Sequence, residues 1–390
     1  MSRRTICIIS STRADWGLLS PIAKELDKQP DCDLHIVATN MHLSARFGMT
    51  INDIIADGFR PERVDMPSED DSPAARVKAM AVCMSGMADI FHKICPELVI
   101  ILGDRYEMLA VASAAVMMHI PIVHIAGGTI SEGAIDDSIR HAITKLASLH
   151  LTETDDARQR VIAMGEDSGR VINTGAIGVW NIRNIPVISK EKLSEEIGFD
   201  LGKPFAVATF HPATLDNSDP GLQCRSMLEA IEKENDLNLI LTYPNNDSGS
   251  AKIIEEIEAF ATKHPTRVKL VKSLGIKRYL SALEYAEFSI GNSSSGIVEV
   301  ASSGIPSIDI GIRQRGRLAA ESVIHCGNST DEISSAIRLA RSPEFKAMAA
   351  KRENPYYKPD TLQRMTDAIM SADLSELKIK RFFDHKTSIC

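Results

Sequence analysis

Residues 98–125 read LVIILGDRYEMLAVASAAVMMHIPIVHI. Leu98–Leu102 is an unbroken apolar run of strand length, as expected of a strand covered on both faces. Tyr106–Met118 carries a helical pattern, and Pro121–Ile125 is again strand-like. Ala110–Gly128 is the most apolar part of the chain, but His119, Pro121 and His124 interrupt it and it divides into a helical half and a strand half. It is not read as a membrane span. A strand, a helix and a second strand in this order make a βαβ crossover, which places the two strands parallel in one sheet.

The same alternation extends outward in both directions. Thr5–Ser10, Leu34–Ala38, Leu149–Thr152 and Val171–Asn173 are further strand candidates, and Leu18, Leu19, Ile22, Ala23 and Leu26 share a helical face. The pattern pauses over a polar, proline-containing stretch at 181–203 and resumes with Phe205–Thr209, Leu237–Thr242, Val268–Val271, Phe288–Ile290 and Ser307–Ile310. The expected fold class is therefore α/β, with two Rossmann-like lobes of parallel sheet. The first lobe is 1–180, the connector 181–203, the second lobe 204–355, and 356–390 a helical tail that is either solvated or docked. Ligands of open parallel sheets sit beyond the C-terminal strand ends, so the loops after strands are where chemistry is sought, in a cleft expected between the lobes.

Composition narrows the function classes. The chain has 390 residues, 44% hydrophobic and 25% charged, with 44 Lys plus Arg against 52 Asp plus Glu, a formal net charge of −8. No basic excess supports a general nucleic-acid partner. The seven cysteines (Cys7, Cys32, Cys83, Cys95, Cys224, Cys326, Cys390) are odd in number and form no CxxC pair, which argues against a disulfide framework or structural zinc. The basic N-terminus leads into a core strand rather than a signal peptide, and a cytoplasmic enzyme with no membrane partner is expected. No HExxH, GxSxG, GxGxxG or GxxxxGK[ST] pattern is present, so neither a catalytic metal, a serine nucleophile, a dinucleotide nor P-loop ATP chemistry is indicated.

Five post-strand loops carry candidate chemistry. STRADWG (11–17) opens a helix and is read either as an anion site, with Arg13 and the helix N-terminus, or as a plain turn. In LGDRYE (102–107), Asp104 is either a base beside Arg105 or a helix cap. HIAGGTISEGAIDDSIRHAITK (124–145) has a Gly127–Gly128 pair that lets backbone approach a ligand, then Glu132, Asp136, Asp137, Arg140 and His141. A helix beginning near Asp136 puts Asp136, Arg140 and Ile143 on one face, though Asp136 or Asp137 could simply cap it. His211, in TFHPATLDN (209–217), is either a phosphate ligand or proton shuttle, or a structural histidine. GNSSSG (291–296) leads into a helix expected at Ile297–Ser302, and its hydroxyls suit a phosphate. Glu299 suits the two hydroxyls of a ribose, and Arg313, in DIGIRQRGR (309–317), returns toward the same place.

Together with YPNNDSGS (243–250), these segments in this order resemble the hydrolysing UDP-N-acetylglucosamine 2-epimerase family over about residues 4–340. The resemblance implies glycosyltransferase-B architecture and conversion of UDP-N-acetylglucosamine and water to UDP and N-acetylmannosamine, without cofactor or metal. It implies anti elimination of UDP followed by hydration of the glycal. It assigns catalysis to Asp104, Asp136 and His211, and UDP binding to Arg13, Arg105, His211, Asn245, Ser293, Ser294, Glu299 and Arg313. Several family members carry a catalytic Glu in HIEGGE; here that place is Ala126 and the residue after the glycines is Thr129, so Glu132 is the nearest acid available for the role. A related class acts on UDP-2,4-diacetamido-2,4,6-trideoxyglucose, and a non-hydrolysing epimerase is a further alternative. A glycosyltransferase of the same architecture is disfavoured, because transfer alone breaks no C–H bond and needs no acid-rich block at Asp136. The resemblance also implies a homo-oligomer, dimer or tetramer.

Overall fold

A computed structural model describes residues 3–67, 70 and 72–384. The chain forms two compact units, and neither is one continuous segment. The first comprises 1–129, 136–180 and 356–390; the second comprises 130–135 and 181–355.

The first unit holds seven parallel strands: β1 (Arg4–Ser10), β2 (Cys32–Thr39), β3 (Glu62–Val64), β4 (Leu98–Leu102), β5 (Ile122–Ile125), β6 (Leu149–Thr152) and β7 (Val171–Asn173). Their order is β3-β2-β1-β4-β5-β6-β7. The second unit holds six: β8 (Phe205–Thr209), β9 (Asn238–Thr242), β10 (Val268–Val271), β11 (Phe288–Gly291), β12 (Ser307–Ile310) and β13 (Val323–Cys326), in the order β10-β9-β8-β11-β12-β13. Each sheet reverses its winding once, at β1/β4 and at β8/β11. At such a switch point adjacent loops diverge to opposite faces and leave room for a ligand. The loops that follow β1, β4, β8 and β11 are the STRADWG, GDRYE, FHP and GNSSSG segments.

Every residue of β4 and β5 is buried, which explains why both read as continuous apolar runs. One face of the first sheet packs Ile6, Ile8 and Ile100 against Leu19, Ile22 and Leu26 of the helix Arg13–Asp27. The other packs Val99 and Ile101 against Met108, Val111 and Phe91. In the second unit, Ala208, Leu239 and Ile290 face Met227, Ile253 and Ile337. The described cysteines are free thiols, and Cys390 lies outside the described residues.

Several expectations need correction. Residues 181–203, expected as a connector, are part of the second unit. Ile188, Leu193, Ile197 and Leu201 are buried there with Phe205 and Val207, Leu193 and Ile197 being carried by the helix Lys190–Ile197. Of the two readings of the tail the docked one is observed, as Met365, Ile369 and Leu377 join the core that contains Leu19 and Ile22. The helix expected at Ile297–Ser302 instead begins at Ser294, ends at Val298 and passes into a 3-10 turn at Val300–Ser303. Two edge strands, β3 and β13, were not anticipated; three and four residues long, they offer too little periodicity to read.

Candidate functional site

In the first unit the loop after β1 is organised by its own side chains. Thr12 caps the helix Arg13–Asp27, accepting from Asp15 N–H, while the Asp15 carboxylate accepts from the backbone N–H of Ser11 at 3.2 Å and of Thr12 at 2.9 Å. This capping box satisfies donors that the anion reading left open. Arg13 is the first residue of the helix, and burial lowers its guanidinium to about 10 against the opposing pull of Asp53. Arg105 stands before the helix Tyr106–Met117 and holds the fully buried Glu107 at 2.7 Å. Burial pushes the Glu107 carboxyl up, but Arg105 and the hydroxyl of Ser11 more than reverse this and leave it below the ordinary range.

Asp104 follows β4 and Gly103, and a quarter of its side chain is exposed. Its carboxylate is hydrogen-bonded by Arg140, from the helix Asp136–Leu146. The Arg140 side chain is 1% exposed and donates also to the carbonyl of Thr129 at 3.0 Å and to Asp137 at 3.3 Å. Burial disfavours its charge, yet Asp104, Asp136 and Asp137 outweigh that and raise its pKa. The expectation that Asp136 and Arg140 share a helix face is met in this field of three carboxylates, although Asp137 makes the hydrogen bond. A cation this deeply buried is stable only with such partners.

The Gly127–Gly128 pair has a packing role. A methyl group on Gly127 would lie 2.8 Å from His124 Nδ1, and one on Gly128 would lie 2.5 Å from the carbonyl oxygen of Ala157. The pair admits close approach of neighbouring protein. Ala126 itself has φ +64°, a left-handed backbone that non-glycine residues seldom adopt.

In the second unit the loops after β8 and β11 are joined through Asn292. Its side chain accepts the backbone N–H of His211 at 2.7 Å and donates to the His211 carbonyl at 2.8 Å. Its own carbonyl accepts from Arg313 Nη1 at 3.2 Å and Gln314 Nε2 at 3.0 Å. His211 Nδ1 accepts the backbone N–H of Asn245, which follows β9. Gly291, at φ +141°, admits the carbonyl of Thr209 where a side chain would collide. Ser293 and Ser294 are the half-buried and exposed residues that begin the short helix Ser294–Val298. Glu299 closes that helix; burial raises its carboxyl, opposed by Ser295 and Arg317. Glu132 stays with the turn at 312–316: its N–H donates to Arg315 O at 3.0 Å and its half-exposed carboxylate lies 4.0 Å from the Arg315 guanidinium. Among the described residues no three His, Cys, Asp or Glu side chains cluster as metal ligands, and no helix is long and apolar enough to cross a membrane.

The sequence profile described as UDP-N-acetylglucosamine 2-epimerase matches residues 24–370. The chain belongs to this family. It is 36% identical over 346 residues, 89% of this chain and 90% of the relative, to a GDP/UDP-N,N'-diacetylbacillosamine 2-epimerase (hydrolyzing) of Campylobacter jejuni. It is 35% identical over 349 residues, 88% of this chain and 90% of the relative, to a UDP-N,N'-diacetylbacillosamine 2-epimerase (hydrolyzing) of Legionella pneumophila. Its fold matches the crystal structure of UDP-GlcNAc 2-epimerase from Neisseria meningitidis bound to UDP-GlcNAc, with a TM-score of 0.77, 16% identity and coverage of 94% of this chain and 100% of that one. The two-lobed glycosyltransferase-B architecture expected from the sequence is the observed one.

Within this 2-epimerase fold, sequence reasoning passed over three residues that organise the post-strand loops: His124 and Glu107 in the first unit and Asn292 in the second. A histidine in the middle of a four-residue apolar strand was a usable signal for His124. Glu107 reads as an ordinary first-turn acid, and its burial against Arg105 leaves no mark in the sequence.

Proposed function

We infer that the protein is a hydrolysing 2-epimerase of UDP-linked 2-acetamido sugars, with UDP-N,N'-diacetylbacillosamine as its substrate. The observation that carries the reading is the carboxylate of Asp104, partly open to solvent and held by the buried Arg140 at the end of β4. The C2 hydrogen of a 2-acetamido sugar is weakly acidic, and its removal needs a carboxylate held in place. The substrate choice rests on the two relatives above, both described as hydrolysing enzymes of that sugar nucleotide. The family description favours a second reading, UDP-N-acetylglucosamine.

The reaction runs in two stages. Asp104 takes the C2 proton as the C1–O bond to UDP breaks on the opposite face, which leaves a C1=C2 double bond and free UDP. Water then adds its oxygen to C1 while a proton returns to C2 on the other face, which inverts C2. Asp136 supplies the second acid–base group, with Glu132 as the other candidate. Charge grows on the departing diphosphate, and cationic and N–H donors stabilise it there. His211, Arg13, Arg105, Arg313, Ser293, Ser294 and Asn245 are assigned to that task, and Glu299 to the ribose hydroxyls. Neither stage transfers a hydride or an electron, so this sequence calls on no redox cofactor.

Incubation with each sugar nucleotide in deuterated water tests the reading. Nuclear magnetic resonance should show UDP release and a free sugar, inverted at C2 and deuterated there, formed faster from the diacetamido compound. A sugar still attached to UDP would mark a non-hydrolysing epimerase, and faster turnover of UDP-N-acetylglucosamine would reverse the substrate assignment.

A further inference from the structure

His124 is the polar residue of β5, whose other members are Ile122, Val123 and Ile125, and it has no exposed surface. An imidazole is buried at little cost only when both ring nitrogens are bonded. Nε2 lies 2.7 Å from the carbonyl oxygen of Gly103, which can only accept, so Nε2 carries the proton and donates. Nδ1 therefore presents a lone pair, 3.2 Å from the hydroxyl of Thr144. The single proton of that hydroxyl is shared between Nδ1 and the Arg140 carbonyl, 3.0 Å away and one turn earlier on the same helix. Burial lowers the ring to about 3, so it is neutral near pH 7 and acts as neither acid nor base there.

These contacts close a ring. Gly103 is the residue before Asp104, and Arg140 bonds the Asp104 carboxylate. Asp104 is thus held at its main chain through Gly103 and at its side chain through Arg140. His124 joins the two holds, one through each ring nitrogen. We propose that His124 is a positioning residue for proton transfer, setting the register between the Asp104 loop and the Arg140 helix so that the Asp104 carboxylate meets the C2 hydrogen. The proposal rests on Asp104 being the base.

The test uses the full-length enzyme and UDP-N,N'-diacetylbacillosamine carrying hydrogen or deuterium at C2. The variants are His124→Phe, His124→Gln, Thr144→Val and Asp104→Asn. His124→Phe and Thr144→Val should lower kcat by roughly ten- to a hundredfold, the effect of a small misplacement of a reacting group. KM and UDP affinity should stay at wild-type values, and the primary isotope effect should rise as C–H cleavage becomes the slow step. His124→Gln, whose amide can donate to Gly103 and accept from Thr144, should recover most of the loss. A fall in Tm with kcat per folded enzyme and isotope effect unchanged would assign His124 to stability alone and overturn the proposal. If His124→Phe does not fold, Thr144→Val decides by the same measurements. An active Asp104→Asn removes the base assignment, and with it this proposal. An inactive Asp104→Asn beside unperturbed Thr144→Val and His124→Phe removes the proposal only. No turnover by the wild-type enzyme would defeat the functional reading itself.

Discussion

Nδ1 of His211 lies 3.2 Å from the backbone nitrogen of Asn245 and accepts its N–H. That bond fixes the ring proton on Nε2, and the two hydrogen bonds from Asn292 to the His211 main chain hold the residue in place. The donor offered by this histidine is therefore Nε2–H. His211→Gln can put an amide N–H near the same point, whereas the shorter side chain of His211→Asn cannot. Steady-state kinetics should show His211→Asn losing on the order of a hundredfold in kcat and His211→Gln losing less. Equal losses would remove Nε2 from the reaction.

Replacing Asp104 by Asn leaves size and hydrogen-bonding reach nearly unchanged and removes the base. The expected loss in kcat is roughly 10²- to 10⁴-fold, with UDP binding by calorimetry unaltered. Turnover at the wild-type rate would take Asp104 out of the mechanism.

Arg140→Met is a stability prediction at the same place. It strips Asp104 and Asp137 of a buried cation and leaves the Thr129 carbonyl without its donor. Breaking a buried pair from one side is expected to destabilise by about 3–5 kcal/mol in urea unfolding. A loss below about 1 kcal/mol would mean that the pair behaves as a surface contact.

Gly291→Ala examines the junction of β8 and β11. The added methyl would strike the Thr209 carbonyl, and φ of +141° is closed to alanine. Stability should fall by more than about 2 kcal/mol. UDP affinity should weaken too, because Asn292 and Ser293 follow directly. Unchanged affinity would separate this junction from nucleotide binding.

Glu166 gives a pH dependence. Its carboxylate, almost without exposure, accepts from Lys145 at 2.5 Å, His150 at 3.0 Å and Lys380 at 2.5 Å. Burial raises it, but these donors prevail and bring it from 4.5 down to about 2. A depressed carboxylate contributes its stability above about pH 4.5 and loses it as pH falls toward 2. Glu166→Gln should therefore cost on the order of 2–3 kcal/mol near pH 7, and the gap to wild type should close in acid. A gap independent of pH would show that charge at Glu166 does not stabilise the fold.

Most of the fold was legible in the sequence, because parallel strands buried on both faces write themselves as short apolar runs. Leu98–Leu102, Leu149–Thr152 and Phe205–Thr209 coincide with their observed limits for that reason. The segment 181–203 was misread because its charged residues are spaced around Leu193 and Ile197, and only the packed structure shows that the apolar minority is buried. Within each unit, the candidate residues that follow strands could be named, since sheet topology alone brings those loops to one edge. Asn292 could not: its two bonds to the main chain of His211 span 81 positions and depend on a strand pairing that no local pattern records.

The docked tail bears on how the protein is made. Met365, Ile369 and Leu377 complete a core begun by Ile6, Ile8 and Leu19. A chain emerging from the ribosome therefore carries an unfinished first unit through the synthesis of the whole second one. Part of the apolar surface on the helix Arg13–Asp27 lacks its native cover until residue 377 is out. Chaperone capture during that interval, and aggregation of products truncated before Thr361, follow from the order in which the polypeptide is delivered.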